Sequence, residues 1–102
     1  MKYTVAPMVN GDIYLLEGEC GFEGFGNFCG WYAKEIISHG KLVGCLDDDL
    51  NTPILLTNPL LISKEDDQAT YSVYRTTRFE ADTIEQAFET FKECVRIEKS
   101  KK

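Results

Sequence analysis

At 102 residues, with 43% apolar and 27% charged residues, the chain is large enough for one hydrophobic core and too small for two independent ones, so a single domain over 1–102 is expected. A formal net charge of −6 disfavours direct capture of a nucleic-acid backbone and would attract a basic protein surface. No apolar run approaches the roughly 18 residues of a membrane span, and no basic start leads into an apolar stretch, so neither membrane insertion nor secretion is expected and the cytosol is the default compartment.

Tyr3 to Val9 and Asp12 to Leu16 are apolar, β-prone runs separated by Asn10-Gly11, a dipeptide suited to the two positive φ angles of a tight hairpin turn. Counting outward from a two-residue turn pairs Met8 with Ile13 and Ala6 with Leu15 on one face, and Pro7 with Tyr14 and Val5 with Leu16 on the other. Both faces are fairly apolar. Pro7 has no ladder donor, which makes Tyr3 to Val9 an edge strand or one interrupted at Pro7.

Gly18 to Trp31 carries five more glycines after Gly11 and places Phe22, Phe25, Phe28 and Trp31 at every third position. A regular helix there is costly, so a loop or irregular strand is expected. These four aromatics are candidate partner contacts if they face outward, and a cap on one end of the sheet if they fold inward, the arrangement that exposes less apolar surface. Base stacking is opposed by Glu17, Glu19 and Glu23.

Trp31 to Leu46 fits a hairpin turning at Ser38-His39-Gly40-Lys41, or a helix from Asn27 to Gly40; Gly30 and the β-branched pair Ile36-Ile37 favour the hairpin. Asp47 to Thr52 is an acidic turn. Pro53 to Ile62 is an apolar run broken by Asn58-Pro59, which predicts short or bulged strand pieces, and Lys64 to Gln68 is a polar loop.

Thr70 to Phe79 alternates with period two and predicts a strand that feeds directly into a helix. From Ile84 the period changes, and Ile84, Ala87, Phe88, Phe91, Cys94 and Val95 form one stripe with polar residues elsewhere. Asp82 and Thr83 are good caps, Thr83 with Gln86 fits a capping box, and Lys99, Lys101 and Lys102 follow the negative end. Buried residues of this stripe contribute about 1.5–3 kcal/mol each before chain entropy is charged against them. The expected fold is α+β: a small antiparallel sheet of about four to six strands with one C-terminal amphipathic helix packed on one face.

Chemistry is weakly signalled. Four cysteines without a secretory context should be free thiols, with Cys94 a small buried hydrophobe. A cysteine nucleophile needs a base in reach; the only histidine, His39, follows Cys29 by ten residues, and a small cysteine-dependent enzyme is the third-ranked reading. No Cys-x-x-Cys pair invites zinc. Asp47, Asp49 and Asn51 occupy the first ligand places of a calcium loop, but Thr52 stands where glycine is needed and Asn58 where the bidentate glutamate belongs. Gly21, Gly24 and Gly26 match no dinucleotide fingerprint. No metal, cofactor or catalytic residue is expected.

The charge is unevenly placed: up to Asp67 four basic residues stand against eleven acidic, and thereafter seven against six. Asp47, Asp48 and Asp49 in one turn, and Glu65, Asp66 and Asp67 in another, are therefore candidate contacts for a basic partner. The leading expectation is a non-enzymatic binding protein that masks or inhibits a basic protein, in the manner of small inhibitors, immunity proteins, antitoxins or viral anti-defence proteins. The alternative is an assembly module that self-associates, as a homodimer for instance, through the Tyr3 edge strand.

Overall fold

The computed structural model describes residues 1–18, 22–24, 35–37, 40–62, 71–73 and 76–100. In chain order these form β1 (Lys2–Pro7), β2 (Ile13–Glu17), β3 (Phe22–Gly24), β4 (Glu35–Ile37), β5 (Gly40–Leu46), β6 (Pro53–Ile62), β7 (Tyr71–Val73), β8 (Thr77–Glu80) and α1 (Ile84–Ser100). The fold is α+β. An antiparallel five-stranded sheet has the order β6-β5-β2-β1-β8, and a three-stranded sheet has the order β3-β4-β7.

The first hairpin forms where expected, but its register differs by one residue. Val5 faces Leu15, Ala6 faces Tyr14 and Pro7 faces Ile13. The loop has three residues instead of two: Met8 N donates to the Asp12 carbonyl at 2.7 Å and Gly11 N to the Met8 carbonyl at 3.1 Å. Gly11 sits at φ +100°, and the Asn10 side chain accepts the Asp12 N–H at 2.9 Å, a geometry that adds one residue to the turn. Because side chains alternate, the shift changes which residues share a face. Tyr3, Val5, Ile13 and Leu15 belong to one cluster, and Ala6, Met8 and Leu16 to another.

β1 is not an edge strand. β8 pairs along it from Lys2↔Glu80 to Val5↔Thr77, and the Tyr3 and Phe79 rings stack at 5.7 Å. Pro7 lies beyond the last of these pairs, so the residue without an N–H sits where β8 has already ended.

Two other expected connections are also redrawn. Thr70 to Phe79 is not one strand: β7 belongs to the three-stranded sheet and β8 to the five-stranded one. β4 and β5 are strands but not a hairpin, since β4 pairs with β3 and β7 while β5 pairs with β2 and β6. The reason is visible in the core. With both faces of the first hairpin apolar, a helix on one side leaves Ala6, Met8, Leu16 and Leu42 uncovered, and Val73 of β7 closes over them with a bridge to Met8.

On the other face lies α1. Ala87, Phe91 and Val95 are buried against Tyr3, Val5, Leu15, Val43 and Leu46, with Ile84, Phe88 and Cys94 packed beside them, the stripe read from the sequence. Phe88 is half-buried, its ring 6.0 Å from that of Phe91 and 5.4 Å from the Lys92 ammonium. The cap is displaced by one residue from a reciprocal box: Thr83 Oγ1 accepts the Gln86 N–H at 3.2 Å, while Gln86 Oε1 accepts from Asp82 N at 3.0 Å.

β6 is bulged, as the Asn58-Pro59 interruption predicted. Leu42 faces Leu60 and Gly44 faces Leu55, so the stretch 56–59 of β6 stands opposite Val43 alone. Gly44 is needed at the crossing, because a Cβ there would lie 3.2 Å from both the Ile54 carbonyl oxygen and Leu15 Cβ.

Candidate protein-binding surface

β5 and β6 are joined by the acidic turn, and its three aspartates have different roles. Asp47 N donates to the Thr52 carbonyl and Leu50 N to the Asp47 carbonyl, both at 2.9 Å, closing the loop on Leu50 at φ +56°. Such a φ is uncommon for a branched side chain and persists only where neighbouring contacts enforce it. Asp47 supplies one: its Oδ1 accepts the Asn51 N–H at 2.9 Å and the Thr52 N–H at 3.3 Å. Those donors hold its carboxyl below the usual carboxylate range. The Lys99 ammonium from the end of α1 donates to the Leu50 carbonyl, fastening the turn from the other side.

Asp47 is thus occupied in building the turn, and Asp48 and Asp49 are left exposed. Directly after them comes β6, an outer strand of the five-stranded sheet, with no strand on its far side among the described residues. Ile54 and Leu55 are about two-fifths exposed, Leu60 is 52% exposed and Leu61 73%. Neighbouring residues of a strand point to opposite faces, so exposure of both members of each pair means that neither face of this strand is fully covered. The sequence reading named the aspartates and missed the leucines. The signal was present in Pro59, which in a sheet belongs on an edge.

The other expected contacts are only partly in view. Glu65, Asp66, Asp67, Phe25, Phe28 and Trp31 lie outside the described residues, as do Cys20, Cys29 and His39. Phe22 opens β3, its backbone opposite Ile37.

Cys45 and Cys94 are free and half-buried. Burial raises both thiol pKa values, reinforced by Asp12 and Asp48 at Cys45 and by Glu93 and Glu98 at Cys94. This is the reverse of what activates a cysteine nucleophile. A groove of about 340 Å³ beside Cys94 is lined by Val5, Pro7, Ile13, Ile97 and Glu98 among the described residues. A second groove of about 400 Å³ mixes Lys2 and Arg78 with Glu80. Among the described residues no three His, Cys, Asp or Glu side chains come together as a metal site, and no helix is long and apolar enough to cross a membrane.

Compared with protein-family models, with curated proteins and with solved structures, the chain matches none.

Proposed function

We propose that this chain is a non-enzymatic binding protein that masks a basic protein partner, working in the cytosol. The observation that carries the reading is the division of labour in the acidic turn. One aspartate satisfies the turn's amides, and the next two are presented to solvent beside an open apolar strand. Exposed charge of this kind contributes little to stability and much to the rate and choice of association. The free thiols of Cys45 and Cys94 fit a reducing compartment.

The test is kinetic. With a partner captured from the native host, association should fall steeply as salt rises, because exposed charges are screened over about 8 Å at physiological ionic strength. Asp48→Lys/Asp49→Lys should slow association more than it speeds dissociation. Rates that ignore both salt and charge reversal would overturn the reading.

Self-association through an edge strand is the second reading, and its site moves. Tyr3 lies inside the sheet, whereas β6 is its outer strand among the described residues and carries exposed leucines. Light scattering across a concentration series tests it.

A further inference from the structure

We infer that the partner engages β6 by strand addition: an extended segment lies along the outer edge, apolar where it passes Leu60 and Leu61 and basic where it reaches Asp48 and Asp49. This rests on the basic-partner reading above and adds the form of the contact.

Three observations lead to it. The first is the edge itself. A sheet edge presents a row of backbone donors and acceptors, and an extended chain is the partner that satisfies them along their length. The second is that Ile54 with Leu55, and Leu60 with Leu61, are exposed on both faces of β6. A flat surface or a helix would cover one face only, while a paired strand places its own alternate side chains beside both. The third is the order of chemistry along the edge. Asp48 and Asp49 precede Pro53, which faces Leu46, and Leu60 and Leu61 face Leu42 and Lys41, four to five residues along β5 or roughly 13–17 Å at about 3.3 Å per residue. A segment spanning both is about six to seven residues long, with Lys or Arg at one end and apolar side chains at the other.

A second copy of the chain fits this edge less well. Each copy carries a formal net charge of −6, so pairing two edges adds like charge to like. The four exposed side chains amount to a few hundred Å² at most, against about 800 Å² per partner in a standard stable interface. Strand addition by a basic segment supplies what that area lacks, through main-chain hydrogen bonds and opposite charge. The bulge opposite Val43, with Pro59 inside it, divides the edge into Pro53–Leu55 and Leu60–Ile62. The segment is therefore held at two short stations, not along one continuous ladder.

The experiment uses the full chain as bait for a displayed library of random peptides of about twelve residues, selected in parallel against wild type and Leu60→Asn/Leu61→Lys. Selected peptides should alternate β-branched or aromatic residues with polar ones and carry Lys or Arg at one end. They should be depleted by about tenfold or more on the double variant. The best peptide is then synthesised with N-methyl groups on alternate amides, in two versions that block opposite edges, and measured against wild-type protein, which removes any question of variant folding. One version should lose at least about tenfold in affinity and the other should bind nearly unchanged. Equal effects of the two versions, or selected peptides with helical spacing, would overturn strand addition while leaving the basic-partner reading intact. Alternating peptides without enriched Lys or Arg would overturn the basic-partner reading instead. A dimer of this chain that Leu61→Lys dissociates would assign the edge to a second copy and overturn the inference.

Discussion

The carboxylate of Asp12 reaches across the sheet to the backbone of Leu46: its Oδ1 accepts the Leu46 N–H at 3.2 Å while also accepting that of Ile13 at 2.8 Å. The exit of the first hairpin loop is thereby tied to the last residue of β5, immediately before the acidic turn. Removing the acceptor in Asp12→Ala should cost about 1–2 kcal/mol, read as a lower urea midpoint at unchanged slope. Asp12→Asn keeps an oxygen at the site and should recover most of that loss. Equal stability of Asp12→Ala and wild type would show that the bridge contributes nothing.

The buried stripe of α1 makes a sharper contrast. Phe91 is fully enclosed, so Phe91→Ala should cost about 3–5 kcal/mol in chemical denaturation. Glu89 pairs with Lys92 at 2.7 Å on the solvent side, and Glu89→Ala should stay within about 0.5 kcal/mol of wild type. Phe88→Asp replaces a half-buried ring with a carboxylate beside the core and should be more damaging than Glu89→Ala. Similar melting of these variants would mean that the helix does not bury this face.

The acidic turn should be sensitive to acid. The Asn51 and Thr52 amides lower the pKa of Asp47 in the folded state relative to the unfolded chain, where it is near 3.9. Its contribution is therefore present above about pH 4 and is lost as pH falls through the depressed folded value. Amide hydrogen exchange at Asn51 and Thr52 should accelerate below about pH 4, beyond the intrinsic pH dependence. In Asp47→Asn that acid-specific loosening should be absent. Persistence of the step in the variant would assign it to another group.

For the described cysteines the expected behaviour is slow chemistry. Burial and nearby carboxylates raise the pKa of Cys45 and Cys94, which leaves less thiolate near neutral pH than in the unfolded chain. Alkylation of both should be slower in native protein than in urea at the same pH, by mass spectrometry of the labelled peptides. Faster native labelling would mark an activated thiol at that position.

The parts legible in the sequence were those set by local physics. The stripe from Ile84 to Val95 and the cap at Thr83 are written in spacing and side-chain type, and both are present. The bulge at Asn58-Pro59 was legible for the same reason. The register of the first hairpin was not, because Asn10-Gly11 serves a two-residue turn and a three-residue turn equally well. Only the folded loop, with Gly11 left-handed and Met8 bonded to Asp12, decides between them. The break between Val73 and Thr77 was hidden too, since continuous alternation does not reveal that a chain changes sheets halfway. The acidic turn was recognised as a surface feature, but nothing in three consecutive aspartates says that the first is structural. That distinction comes from Asn51 and Thr52 turning their amides toward it.

β1 sits between β2 and β8. A ribosome delivers residues 2–7 about seventy residues before their partners at 77–80. Until then Tyr3 lacks the Phe79 ring and one side of β1 is open, even though the hairpin with β2 closes early. The covering helix arrives later still. Synthesis that stalls after Val73 thus yields a nascent chain in which β1, paired only with β2, forms an open apolar edge, a substrate for chaperones and for degradation.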